Sequence, residues 1–284
     1  MFKKKEKEME PEFYTSPTGI KTTNYKVYYM KPKEKLLYAL LAFAVGAAVA
    51  LLFYGGIGKD EFGQPTKITH ILNIVIPAIV GAVAIKFFIP QRTETIIAKR
   101  KAELGRQFRD MLDSLTTSLG AGKNVTDAFY SVYDDLRVQY DSDAYILKEL
   151  EVIISGIENN YAIEDLLEDF GNRSDIDDIL SFANVFKVSY RKGGNIKDII
   201  RNTHSILSDK MEISEDIETL VSSNKLEQNI MLVMPVVLIG AIKMMSPEFA
   251  ANFVSPSGLA STTVSIVIFA AAYYLGKEIL DIKI

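Results

Sequence analysis

The chain has 284 residues, a formal net charge of −4 and 48% apolar residues. Its mean hydropathy of +0.12 is too high for an ordinary soluble protein with 24% charged residues. There is no cysteine and there are two histidines, His70 and His204, which excludes a disulfide framework, a thiolate metal site and a histidine cluster.

Residues 1–35 carry nine lysines (Lys3, Lys4, Lys5, Lys7, Lys21, Lys26, Lys31, Lys33 and Lys35) mixed with glutamate, Pro11, Pro17 and Pro32, and read as a flexible basic arm. Four apolar runs follow: Leu36–Tyr54, Ile71–Ile89, Ile230–Met245 and Leu259–Leu275. Each is close to the roughly 20 residues that cross about 30 Å of hydrocarbon. Because the first run begins only at Leu36, behind a lysine-rich segment, it reads as a retained anchor and not a cleaved signal. The expected organisation is an arm over 1–35, spans over 36–91, a helical domain over 92–229, and spans with a short tail over 230–284.

Flanking charge sets the expected orientation. The loop Gly55–His70 carries only Lys59 and Lys67, and Ser246–Gly258 carries neither lysine nor arginine. The segment after the second span carries Arg92, Lys99, Arg100, Lys101, Arg106 and Arg109. By the positive-inside bias the N-terminus, the central domain and the tail with Lys277 and Lys283 are expected to be cytoplasmic. Lys86 and Lys243 fall near span ends, where they can snorkel, and Pro235 is expected to kink the third span.

The central block shows helical periodicity throughout. Leu104, Phe108, Met111, Leu112, Leu115 and Leu119 form one stripe, and Ile176, Ile179, Leu180, Ala183 and Phe186 form another. Three helix starts resemble one another at Asn124–Phe129, Ala162–Leu167 and Asn195–Ile200. Asn124 and Asn195 supply cap oxygens, with Asp127 and Asp198 in the first turn; Ala162 makes the middle start weaker. Gly122 and Gly193-Gly194 precede two of them, as a left-handed helix end requires. From Asn195 the stripe runs through Ile199, Ile200, Thr203, Ile206, Leu207, Met211 and Ile217 with nothing to stop it before the third span. That predicts a helix of about 75 Å at 1.5 Å per residue.

No catalytic or nucleotide-binding pattern is present. Gly58-Lys59-Asp60 and Gly122-Lys123-Asn124 both lack the hydroxyl that follows the lysine of a phosphate loop and the earlier glycine. Between Asp127 and Asp178 there are fifteen carboxylates and three basic residues. Pairs such as Asp134-Asp135 and Asp177-Asp178 point about 100° apart on a helix and read as a solvated face. The surplus of acid argues against nucleic acid and for a basic protein partner, with Glu164, Asp165, Glu168 and Asp169 the expected docking surface. Lys187, Arg191, Lys192, Lys197 and Arg201 form a smaller basic patch suited to lipid headgroups or an acidic surface.

The run Phe108–Leu136, the segment Gly156–Arg173 and Phe182-Ala-Asn-Val-Phe186, followed by Gly193-Gly194-Asn195, a long helix and Pro235, resemble the type II secretion system F family. The chain is most similar to its single-domain tight-adherence pilus platform proteins. The resemblance implies an all-α integral membrane protein with four transmembrane helices and a cytoplasmic helical bundle between the second and third. It implies a non-enzymatic inner-membrane platform, with no cofactor, that couples a hexameric secretion ATPase to pilin subunits drawn from the bilayer. The family's two-copy members carry the helical domain twice and this chain carries it once, which implies a second copy or a paralogue in the platform. Gly193, Gly194 and Asn195 would then be the turn that feeds the long helix, and Pro235 the kink beside pilin. The alternative is a permease subunit of an ATPase-driven transporter.

Overall fold

The computed structural model describes residues 10–58 and 64–280; Lys3, Lys4, Lys5, Lys7, Lys59 and Lys283 of the charge argument lie outside the described residues. Two strands, β1 (Phe13–Thr15) and β2 (Lys21–Thr23), precede α1 (Pro32–Tyr54), α2 (Lys67–Gly120), α3 (Val125–Gln139), α4 (Tyr145–Glu158) and α5 (Ile163–Ser174). Then come α6 (Asp177–Arg191), α7 (Ile196–Met245), α8 (Pro247–Phe253) and α9 (Pro256–Leu280). The protein is all-α apart from the small hairpin. Four of its helices (α1, α2, α7 and α9) are long and apolar enough to cross a membrane. Two compact units result: one from residues 10–29 and 93–212, the other from 30–92 and 213–280. Helices α2 and α7 contribute residues to both.

The helical unit is built on the stripes read from the sequence. Leu104, Phe108, Met111, Leu112 and Leu115 of α2 are fully buried, as are Phe129 and Val132 of α3, Leu150 of α4 and Phe186 of α6. Phe108 is central: its ring meets those of Phe182 at 5.4 Å and Phe170 at 6.1 Å, both edge-to-face. The α7 stripe holds through Ile196, Ile200 and Leu207, whereas Ile206 is exposed.

One expectation changes. The segment over 10–29 is not a flexible arm. Phe13 pairs with Thr23 and Thr15 with Lys21 in an antiparallel hairpin, and Asn24 and Tyr25 behind it are buried, Tyr25 against Tyr145 of α4. The compact helical unit runs to Glu212, and residues 213–229 group with the apolar helices.

The three helix starts are joined to the preceding helices in one way. Gly122, Asn160 and Gly193 each adopt a left-handed backbone (φ 86°, 62° and 71°) two residues before the next helix's cap. In each the following amide bonds back five residues, Lys123 to Ser118, Tyr161 to Gly156 and Gly194 to Ser189, closing a Schellman turn. Asn124 Oδ1 then accepts from the Asp127 amide at 2.8 Å and its Nδ2 donates to Asp127 Oδ2, and Asn195 and Asp198 repeat the exchange. Ala162 caps nothing with its side chain. The uncapped start of α4 is served from elsewhere: Gln107 of α2, itself buried, accepts the Ile146 amide at 3.0 Å.

In the apolar-helix unit α1 and α2 approach closely where side chains are small. A Cβ on Gly46 would lie 2.9 Å from that of Ala84, and one on Gly81 would lie 2.5 Å from the Phe43 ring. Several polar groups here find internal partners, as a bilayer-spanning helix would require. Lys243 Nζ donates to the Leu52 carbonyl at 2.6 Å and lies 4.7 Å from the Phe253 ring, Tyr54 and Thr263 share a hydrogen bond at 3.0 Å, and Gln228 donates to the Tyr273 carbonyl at 3.3 Å. Pro77 and Pro90 lie inside α2 and Pro235 inside α7.

Replacing Gly193 by Ala places a Cβ on a left-handed residue and is expected to destabilise the helical unit by about 1 kcal/mol. Thermal unfolding of the purified protein in detergent checks this; an unchanged midpoint would show that the turn tolerates a side chain.

Candidate functional site

Among the described residues no three His, Asp or Glu side chains are placed to hold a metal ion. The chemistry concentrates in two charged networks on the helical unit and one cleft.

The first network is buried. Arg173, in the last turn of α5, puts Nη1 3.0 Å from Oε1 of Glu149 and Nη2 2.7 Å from Oε2, a bidentate pair between α5 and α4 with both residues almost fully buried. The guanidinium also donates to the Thr23 carbonyl (3.0 Å) and to Asp169 (2.7 Å). Tyr25 closes the network from the hairpin side: its hydroxyl donates to Glu149 at 3.0 Å and its amide to the Arg173 carbonyl at 3.0 Å. Burial works against the charge on Arg173, but Glu149 and Asp169 outweigh it and hold the guanidinium above its ordinary range. Burial first, and then the Glu149 carboxylate, pushes Tyr25 well above the usual range for a phenol.

The second network joins two patches that the sequence presents as separate. Arg191 of α6 reaches Glu164 and Asp165 of α5, both at 3.1 Å, and Lys187 reaches Asp165 at 2.9 Å and Glu168 at 2.5 Å. The hydrogen bond that Lys187 donates to Glu168 holds its ammonium above the ordinary range, and the one that Arg191 donates to Glu164 does the same for its guanidinium. The expected docking acids therefore face cations of the same unit. Asp165, Glu168 and Asp169 keep between about a third and just over a half of their side-chain surface, while Glu164 is buried. Of the basic patch, Arg201 pairs with Asp198.

Between α2 and α3 lies a cleft of about 450 Å³ lined by Arg109, Asp110, Asp113, Ser114, Asp135 and Gln139, among others. Asp110 accepts from Tyr140 at 2.5 Å, Ser114 donates to Asp135 at 2.7 Å, and Asp113 lies 3.7 Å from His204. Burial and the bond to Asp110 push Tyr140 up to about 12.

Gly193, Gly194 and Asn195 form the joint between α6 and α7; a Cβ on Gly194 would meet that of Ser189 at 3.2 Å. Pro235 lies inside α7, 40 residues after Asn195, so the turn and the proline do not meet. Lys86 is exposed on α2. Gly122-Lys123 is a helix-ending turn whose lysine donates to Ser131 Oγ at 2.6 Å. Sequence reasoning passed over Tyr25, Glu149 and Gln107. The available signal was Arg173, three residues after Phe170 and so on the buried stripe of α5, where a charge demands a partner. Comparison of the chain with models of protein families, with curated proteins and with solved structures returned no match.

Arg173→Met leaves Glu149 charged and unpaired in the core, and is expected to cost about 3–5 kcal/mol. Chemical unfolding in detergent measures this, and faster tryptic cleavage at Lys21 and Lys26 would report release of the hairpin. Undiminished stability would show that the pair is not the anchor.

Tyr25 and Tyr140 are neutral in the folded state beyond the pH at which an unfolded phenol ionises. Their contribution is whole below about pH 10 and is lost as pH rises through the folded values. Thermal stability should therefore be level from pH 7 to 9 and fall from pH 10 to 12, less steeply in Tyr140→Phe. A wild-type curve as flat as the variant's would count against the Tyr140–Asp110 bond.

Proposed function

We propose that the protein is a non-enzymatic platform of a type IV pilus or type II secretion-like machine, coupling a cytoplasmic secretion ATPase to pilin assembly in the cell membrane. The observation that carries the reading is the continuity of α2 and α7. Each runs unbroken from residues in the core of a packed helical unit, Leu115 and Ile200, into a segment apolar enough to span a bilayer. A continuous helix passes a displacement along its length with no intervening loop to absorb it. The Gly193–Asn195 turn sets where α7 starts, and Pro235 bends it within its apolar segment, beside which pilin helices would pass.

In this reading the helical unit is cytoplasmic and the ATPase meets its acidic side. Asp165, Glu168 and Asp169, only partly covered by Lys187 and Arg173, supply charge to a basic partner, and Glu164 serves the fold. A second copy or a paralogue completes the platform.

Affinity purification from gently solubilised membranes, with co-purifying proteins identified by mass spectrometry, tests the proposal. Recovery of a hexameric secretion ATPase together with pilins or a second platform chain is expected. A transport-type ATPase recovered without pilus components would sink the platform and favour a permease subunit.

A further inference from the structure

We propose that the apolar-helix unit is a hinge made of two helix pairs, α1 with α2 and α7 with α9. The pairs are pinned together at the carboxyl end of α1, with Lys243 as the pin, and swing against each other at the opposite end. Each of the other three long apolar helices sends one polar side chain to residues 52–56. Lys243 Nζ of α7 donates to the Leu52 carbonyl at 2.6 Å, the Tyr54 hydroxyl shares a hydrogen bond with Thr263 of α9 at 3.0 Å, and Asn73 of α2 accepts the Gly56 amide at 3.0 Å. Gly240, about one turn before Lys243, lets α7 approach: a Cβ there would lie 3.5 Å from the Leu52 side chain. The Leu52 carbonyl belongs to the last turn of α1, where carbonyls lack partners within the helix and carry the negative end of its dipole. An ammonium there is held by charge as well as by the bond.

At the opposite end each pair closes on itself. Arg92 of α2 donates Nη2 to the Tyr38 hydroxyl of α1 at 3.1 Å, and the Tyr38 ring lies 6.3 Å from that of Phe88. Gln228 of α7 donates to the Tyr273 carbonyl of α9 at 3.3 Å. Gly276 makes room for it, since a Cβ there would fall 2.2 Å from the Gln228 nitrogen. Tyr38 lies 14 residues before Leu52 and Gln228 lies 15 before Lys243, about 21 and 22 Å along their helices. Burial follows the same division. Ala50 and Phe53 of α1 and Thr262 of α9 are buried at the pinned end, whereas nothing is buried from Pro32 to Leu41 or from Thr263 to Ile279. Apolar contact has no preferred direction and lets one helix tilt on another, while a hydrogen bond fixes the position of both partners. One directional joint and one apolar joint between two bodies make a hinge. Along the chain the free end of α7 is the one nearer the helical unit, so a push on α7 from that side acts with the full distance to Lys243 as its lever. The hinge is independent of the platform reading.

The chain has no cysteine, so spin labels attach only where cysteines are introduced. Pulsed electron paramagnetic resonance on the full chain in lipid nanodiscs then reads the distance between two labels. Exposed positions serve as sites: Leu51 with Met244 at the pinned end, Leu37 with Leu226 at the free end, and Leu37 with Phe87 inside one pair. The first and third distances should each give one narrow peak, and the second a broad or double one. Lys243→Met keeps the stem and removes the ammonium; it should cost the Leu51–Met244 distance its narrow peak, while Lys243→Arg should keep it. Tyr54→Phe removes only the hydroxyl of the second link, should broaden the same peak, and stands in if Lys243→Met does not fold. Equal widths at the two ends overturn the hinge, as does a broad Leu37–Phe87 distance. A Leu51–Met244 peak that stays narrow in folded Lys243→Met, or in Tyr54→Phe where that variant stands in, overturns the pin.

Discussion

The helical unit is organised by the need to neutralise one buried charge. Arg173 sits on the inward face of α5, where a guanidinium without partners would cost several kcal/mol in lost hydration. Glu149 answers it from α4 with both carboxylate oxygens, and the remaining donor capacity draws in the Thr23 carbonyl and Asp169. The acceptor left on Glu149 then takes the Tyr25 hydroxyl. One ion pair thereby sets the spacing of α4 and α5 and the seat of the N-terminal hairpin. A two-stranded sheet of three-residue strands is marginal alone, and its order here comes from this attachment.

The same accounting of polar groups explains the joints. Three helices begin after a left-handed residue and a Schellman closure, so the carbonyls at one helix end are satisfied in the same few residues that start the next. Two starts lack a side-chain cap of their own. Ser174 Oγ, two residues away, accepts the Ile176 amide ahead of α6, whereas Gln107 reaches α4 from α2. That tertiary cap ties the start of α4 to the packing and not only to its own sequence.

In the apolar-helix unit the rule would be stricter within a bilayer, because hydrocarbon offers no substitute for a missing partner. Lys243, Tyr54 and Gln228 each bond to a neighbouring helix. Among the described residues the Nε of Arg92 is the one buried side-chain nitrogen or oxygen without a hydrogen-bond partner.

Local pattern determined the elements. The apolar runs, the stripes of Leu104–Leu119 and Ile176–Phe186, the Asn124 and Asn195 caps and the unbroken course of α7 follow from residue type and spacing within one or two turns, and the structure has them all. Tertiary structure alone decided which charges are spent on one another. Glu164, Asp165 and Glu168 lie between 19 and 27 residues from Lys187 and Arg191, and Tyr25 lies 124 from Glu149. In the sequence the first two groups read as an acidic face and a basic patch, and residues 10–29 as a loose arm. A charge takes its meaning from the partner that packing brings to it. No periodicity records that partner, because ion pairs and buried hydrogen bonds depend on distance in space and not on separation along the chain.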